Sequence, residues 1–455
     1  MTDVTAPART ERTFFGQPRG LAYLAFTEAW ERFSFYGMGS LLVLYMTQQL
    51  LMPGHVENVA GFAAFRSLLE SAFGPMTTIS IASQINGLYA GLVYLTPVFG
   101  GIIADRWLGK RNAIAIGAIL MSAGHVAMAF DQSFLFALVL LVSGSGLLKG
   151  NISAQVGALY AEGDGAGRTR GFAIFSVAIN AGALAGPLLC GLLAQLYGWH
   201  IGFGLAGAMM LIGLATYLIG YNTLRENAAN APAVPSAVTE KLTVAQKRAF
   251  AALFLVMALS VFQSVAYFQS ANIGLVWIDE HVNRTLLGFE IPVAWFYALD
   301  GFACIVFVPF LFALWRWQQN HGGEPGEVTK IATGAWLATI ASLLINVAIL
   351  TAERPWGLLP ALSVMLFGVA FLYQWPTLLA LVSLSSPPKL RSTMMGIVFL
   401  TLFIAGTIMG RLGSLYEPLG PAAFFALHAG VSAIGAVLAT LLARPLERTI
   451  LATQN

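Results

Sequence analysis

The chain has 455 residues, of which 57% are hydrophobic and only 10% charged, against about 25% charged in an ordinary soluble domain. Together with a mean hydropathy of +0.74, this excludes a soluble globular protein and leaves an integral membrane protein. The net charge of +3 is too small to suggest a nucleic-acid partner. Apolar runs of about 20 residues point to spanning helices, since the alternation of an outer-membrane barrel is absent. Cys190 and Cys304 both fall in apolar runs and read as small core residues.

In chain order, residues 1–19 are polar, carry Arg9, Arg12 and Arg19, and lack the apolar core of a cleaved signal peptide. Twelve apolar segments follow, at roughly 20–50, 79–104, 112–130, 133–159, 171–197, 200–221, 247–278, 291–317, 330–351, 356–385, 392–415 and 421–443. Residues 51–78 form a longer loop, in which FAAFRSLLESAF predicts a short amphipathic helix. A polar Ala- and Pro-rich stretch at 223–246 reads as a linker, dividing the chain into helical halves at 1–222 and 247–455. The N-terminus, the loops after the even segments and the C-terminus hold most of the lysine and arginine. The opposite loops hold Arg66, Arg284, Arg354 and Arg411. Both termini are therefore expected in the cytoplasm, and the compact loops suggest a bacterial inner membrane.

The first segment contains TEAWERFSFYGMG. A single charge at the bilayer centre costs about 2.5 kcal/mol or more. Glu28, Glu31 and Arg32 are spaced i, i+3 and i+4, so they share one helix face with Tyr36 and Gly39. That face must look into protein or a watery cavity. Lys149, in GSGLLKGNIS of the fourth segment, brings the four charges to a sum of zero. Protonating one glutamate of such a set weakens a pair, which is how a proton can bias a two-state bundle. Asp300, in WFYALDGFACIV, is the acid left in the apolar core of the second half. His125, His200 and His428 show no metal-ligand spacing, and no metal or other cofactor is expected. HExxH, GxSxG and P-loop motifs are absent, so an enzyme is not expected.

Two six-helix halves joined by a linker resemble the plan of the major facilitator superfamily, and GGIIADRWLGKRNAI resembles its loop between the second and third helices. The resemblance implies a cytoplasmic gate built from Asp105, Arg106, Lys110 and Arg111. More specifically, EAWERFSFYG, INGLYAGLVYLTP, GSGLLKGNIS, FAIFSVAINAGALAGP and YGWHIGF occur in the order found in the proton-dependent oligopeptide transporter family. The second half resembles that family more loosely, through IPVAWF and SPPKLRSTMMG.

That resemblance implies a monomeric symporter importing di- or tripeptides, or peptide-like zwitterions, with protons. Glu28, Glu31, Arg32 and Lys149 would couple the proton. Tyr36, Tyr89, Lys149 and Asn180 would bind substrate from the first half, and Gln269, Tyr297 and Asp300 from the second. The departures are specific. Phe35 lacks the family's hydroxyl, Gly39 replaces a basic residue, and Gly150 replaces proline. Phe268 and Phe371 stand where acids are usual, Val398 where tryptophan is usual, and Asp300 where asparagine is usual. The acidic wall that would hold a peptide amine is thin, which leaves a non-peptide organic solute as the alternative cargo.

Overall fold

A computed structural model of the chain describes residues 13–161, 164–228, 243–386 and 390–451. A hairpin, β1 (Thr13–Phe14) and β2 (Gln17–Pro18), precedes α1 (Arg19–Tyr45). Then come α2 (Phe62–Phe73), α3 (Thr78–Ile103), α4 (Lys110–Ala127), α5 (Phe134–Gly157), α6 (Gly165–Tyr197) and α7 (Trp199–Ala228). The second half holds α8 (Val244–Ser270), α9 (Ile273–His281), a hairpin of β3 (Thr285–Leu286) and β4 (Phe289–Glu290), and α10 (Val293–Asn320). It ends with α11 (Glu327–Thr351), α12 (Leu358–Ser385), α13 (Arg391–Leu412) and α14 (Tyr416–Leu451). Among the described residues, nine stretches are long and apolar enough to cross a membrane, the last covering α13 and α14 together.

Helices extend into both ends of the expected 223–246 linker, to Ala228 and from Val244; residues 229–242 lie outside the described residues. The expected loop helix is present as α2. Arg66 bonds Glu70 at 3.0 Å and the Met76 carbonyl at 3.2 Å. The Arg66 bond, with one from the Met76 N–H to Glu70 Oε1 at 3.2 Å, holds the Glu70 carboxyl below its usual range. The seventh apolar segment, by contrast, is broken. Asn272, with φ −119° and ψ −105°, separates α8 from α9 and spends its side chain on α3. Its Nδ2 donates to Ser83 Oγ at 2.6 Å, and its Oδ1 accepts from Asn86 Nδ2 at 3.1 Å.

The bonds among loops sort the molecule into two ends. At one end Tyr160 donates to Gln17, Arg111 donates to the Tyr221 carbonyl, and Thr329 donates to Glu447. These bonds tie the end of α5 to the N-terminal hairpin, the start of α4 to the end of α7, and the start of α11 to the end of α14. At the other end Asp131 accepts from Tyr45 at 2.5 Å and contacts His55 at 3.1 Å and His200 at 3.3 Å. Gln48 donates to Asp279 there, and Gln195 donates to the Glu290 carbonyl at 2.7 Å.

The core sits asymmetrically between these ends. One large cluster includes residues of both halves, with Leu44 and Ile81 of the first and Trp277 of α9 against Phe425 of α14 in the second, the last pair at the loop-rich end that holds Asp131 and Asp279. A second cluster, with Leu253, Val328, Leu378 and Val398, draws only on the second half. Between the halves, α3 and α13 cross with their backbones in close contact. A Cβ on Gly87 would stand 2.5 Å from the Gly410 Cα, so only glycine allows this approach.

Two outcomes follow from this packing. Gly87→Val should lower the melting temperature in detergent, because overpacking the crossing costs about 1–3 kcal/mol. Gly101→Ala, where no heavy atom lies within 4 Å of the new Cβ, should be neutral or slightly stabilising. Because the Glu70 carboxyl is depressed, its tie to Arg66 is present at neutral pH and lost as pH falls through the depressed value. Amide protection factors over residues 62–73, taken relative to intrinsic exchange at each pH, should fall on acidification, and Glu70→Gln should abolish that pH dependence.

Candidate functional site

The 3.6-residue period of α1 puts Glu28, Glu31 and Arg32 on one face, and that face is buried within the protein. Relative exposures are 4%, 0% and 9%. Arg32 Nε lies 3.0 Å from Glu28 Oε1 and 2.5 Å from Glu31 Oε2. One guanidinium thus holds two carboxylates, leaving the triad with a formal charge of −1. Glu28 Oε2 and Glu31 Oε1 meet no protein donor. α6 packs closely on the neighbouring side of α1: a Cβ on Gly182 would stand 2.2 Å from the Ala29 carbonyl oxygen and 2.9 Å from the Arg32 Cβ.

Lys149 on α5 supplies the compensating charge, but not as the sequence suggested. Among the described residues it makes no ion pair. Its Nζ lies 3.8 Å from the Phe35 ring centroid and 5.6 Å from that of Tyr94. The Arg32 guanidinium approaches the same Phe35 ring, at 5.5 Å. The two cations thus share one aromatic ring, whose quadrupole attracts the ammonium.

Next to this charged face lies a cavity of about 90 Å³ between the halves. Tyr36 and Tyr89 line it from α1 and α3, and Tyr297 and Asp300 from α10. The Tyr36 and Tyr297 rings stand 6.1 Å apart. Tyr267 donates to Asp300 Oδ2 at 2.7 Å, while Asp300 Oδ1 is buried without a protein donor. The volume holds a few waters and is far below the several hundred Å³ of ordinary ligand pockets.

Three expected substrate-binding residues lie outside this lining: Lys149, described above, Asn180 and Gln269. Asn180 is half-buried and away from the cavity. Gly182 points at α1, and two helical residues subtend about 200°, which turns position 180 away from that contact. Gln269 is 1% exposed and also off the cavity. Its neighbours Tyr267, Phe268, Ser270 and Ala271 take the lining instead, where α8 ends. Sequence reasoning missed Tyr94 and Tyr267. Each is adjacent to a motif it used, and only the rotation of α3 and α8 shows that they face inward.

The expected gate residues do not form an ion-paired latch here. Asp105, Arg106 and Lys110 are exposed, and among the described residues no salt bridge joins them. Arg111 instead lies over the Tyr221 ring at 3.9 Å. Water screens such exposed charges, so pairing gains little until another surface covers them. Gln263 and Gln374 make ordinary interhelical bonds, to the Ala370 carbonyl and to Ser260 and Ser264. His125 is fully buried, and His428 contacts the Phe424 carbonyl at 2.8 Å.

A family model described as the POT family matches residues 111–250 and 226–418. The chain belongs to the POT family. Its members are transporters rather than enzymes, and the chain is a multi-pass membrane protein. It is similar to the peptide transporter YePEPT of Yersinia enterocolitica, with 27% identity over 88% of each chain. A di-/tripeptide transporter of Lactococcus lactis subsp. cremoris is 28% identical over 96% of this chain and 97% of its own. An uncharacterized transporter of Bacillus subtilis, YclF, is 29% identical over 97% and 96%. Among solved structures, a variant of the peptide transporter POT in complex with alafosfalin superposes with a TM-score of 0.84. It is 26% identical and covers 96% of this chain and 97% of its own.

The triad's geometry generates a testable outcome. Glu31→Gln removes one carboxylate from Arg32, so gradient-driven accumulation of cargo in proteoliposomes should fall by about tenfold or more, the scale of ~1.4 kcal/mol. Equilibrium exchange of cargo, which needs no net proton movement, should survive. Loss of both with a normal melting temperature would contradict a coupling role.

Proposed function

We propose that the chain is a proton-coupled symporter that imports di- or tripeptides, or peptide-like zwitterions, by alternating access. The observation that carries this reading is the buried Glu28–Arg32–Glu31 triad beside a cavity between the halves. Family membership and relatives named as peptide transporters support the cargo class. Protons would enter at Glu28 and Glu31, and Lys149 would respond through the Phe35 ring that both cations share. Tyr36, Tyr89, Tyr297 and Asp300 would contact the substrate. No cofactor besides the coupling ion is needed, and a single chain suffices.

The architecture behind this reading is twelve transmembrane helices in two bundles of six, at 1–222 and 247–455. The nine apolar stretches count α13 and α14 once. Separating those two, and adding the charge-bearing α1 and the short α4, gives twelve, with α8 and α9 forming one broken span. Twelve spans put both termini on one side. The basic residues Arg19, Arg106, Lys110, Arg111, Lys247 and Arg248 cluster at that end, which favours a cytoplasmic location across a bacterial inner membrane. The shared core at the opposite end then corresponds to a closed outer side. Asp105, Arg106, Lys110 and Arg111 would form the gate when the cytoplasmic side closes.

A second reading keeps the scaffold and changes the cargo to a non-peptide organic solute. Phe268 and Phe371 favour it, because both put rings on the cavity wall at positions where the family usually has acids.

Purified protein in proteoliposomes, given an inward proton gradient, should accumulate radiolabelled dialanine, and a protonophore should abolish the accumulation. Absence of uptake from correctly folded and oriented protein would reject the peptide reading. Uptake unaffected by the protonophore would reject the proton coupling.

A further inference from the structure

Asp300 is the one carboxylic acid among the sixteen residues lining the cavity, and none of the other fifteen is Lys, Arg or His. Tyr267 fixes its Oδ2 at 2.7 Å, and Oδ1 stays buried with no protein donor. Eight of the sixteen lining residues are phenylalanine or tyrosine. Phe371 stacks on Tyr267 at 4.9 Å and an interplanar angle of 19°, so an aromatic face stands beside the carboxylate.

A carboxylate with a free oxygen among π faces is the chemistry that recognises an ammonium group. The oxygen accepts a charge-assisted hydrogen bond, and the rings attract the remaining positive charge. The same surroundings repel an anion. The cations that could offset this repulsion are withheld. Lys149 is held over Phe35 and Tyr94, which both face the cavity, and Arg32 is engaged by two glutamates. Gly39, on the lining of α1, contributes no side-chain donor.

Resting on the transport reading above, we propose that this site selects its cargo by a primary amine at Asp300 and does not require a free carboxylate. The accepted class therefore extends from peptides to peptide amides and other amines of similar size. Phe35 is the specificity-determining residue that keeps Lys149 from gripping a carboxylate.

Three probes test this: Ala-Ala, Ala-Ala amide and N-acetyl-Ala-Ala. Each competes with labelled Ala-Ala for uptake, and each is measured separately by thermal shift of the purified protein. The amide should act within about threefold of Ala-Ala, and the N-acetyl compound at least about tenfold more weakly, the scale of one lost charge-assisted bond. Asp300→Asn should remove the advantage of the two amines while the melting temperature without ligand stays near that of the parent. Phe35→Leu should uncover Lys149 and make the free acid bind better than the amide.

Equal potency of the N-acetyl compound, failure of the amide, or no thermal shift with either amine overturns the proposal. If the amine-dependent shift is present and uptake is absent, the transport reading falls and the recognition rule stands. If uptake occurs with the opposite preference, the recognition rule falls alone.

Discussion

An arginine held between two glutamates inside a membrane-spanning helix constrains everything around it. Each ion removed from water carries a desolvation penalty of several kcal/mol, which mutual attraction offsets only with close geometry. The contacts of 2.5 and 3.0 Å at Arg32 provide that geometry. The triad is buried within the protein, and the face of α1 beyond Arg32 is left to look toward the cavity. Because the triad is short of one positive charge, Lys149 must remain in its field. Its position over Phe35 satisfies that requirement without a direct pair.

That intermediate ring gives the site its character. A direct lysine–glutamate pair would lock two charges together, whereas a shared aromatic face holds two cations weakly and at a distance. The arrangement can therefore respond when one carboxylate gains a proton, since no strong bond has to break first. It also leaves the cavity wall almost uncharged. Aromatic pairs such as Tyr94 with Phe268 and Tyr267 with Phe371 close over about 90 Å³. A peptide needs more room, so the halves must separate at one end for loading.

Where they separate is written in the packing. Glycines let α3 and α13 touch at the backbone, and Asn272 ties the break between α8 and α9 to Ser83 and Asn86. These contacts, with Gln48–Asp279 and Gln195–Glu290, fall at the loop-rich end. The core cluster at the opposite end of the second half is its own. On the alternating-access reading, the loop-rich contacts must dissolve and a new set must form around Asp105 and Arg111, whose charges now face water or a tyrosine ring.

Composition and hydropathy alone determined that this chain lives in a membrane. The i, i+3, i+4 spacing of Glu28, Glu31 and Arg32 determined that they share a face, because helical periodicity is local. Ordered motifs made the family legible before any coordinate was known, and the loop helix at 62–73 was legible from its amphipathic pattern. Tertiary structure decided the rest. Local pattern cannot report that the Lys149 ammonium sits over the Phe35 ring, since this depends on how α5 approaches α1. Nor can it report that Asn272 breaks a helix, because the side chain's partners come from a segment 186 residues away. Gln269 and Asn180 looked like site residues by motif, yet helix rotation turned them off the cavity and brought Tyr94 and Tyr267 in. Which side of a helix meets a ligand is set by the neighbours it packs against, and those neighbours are distant in the chain.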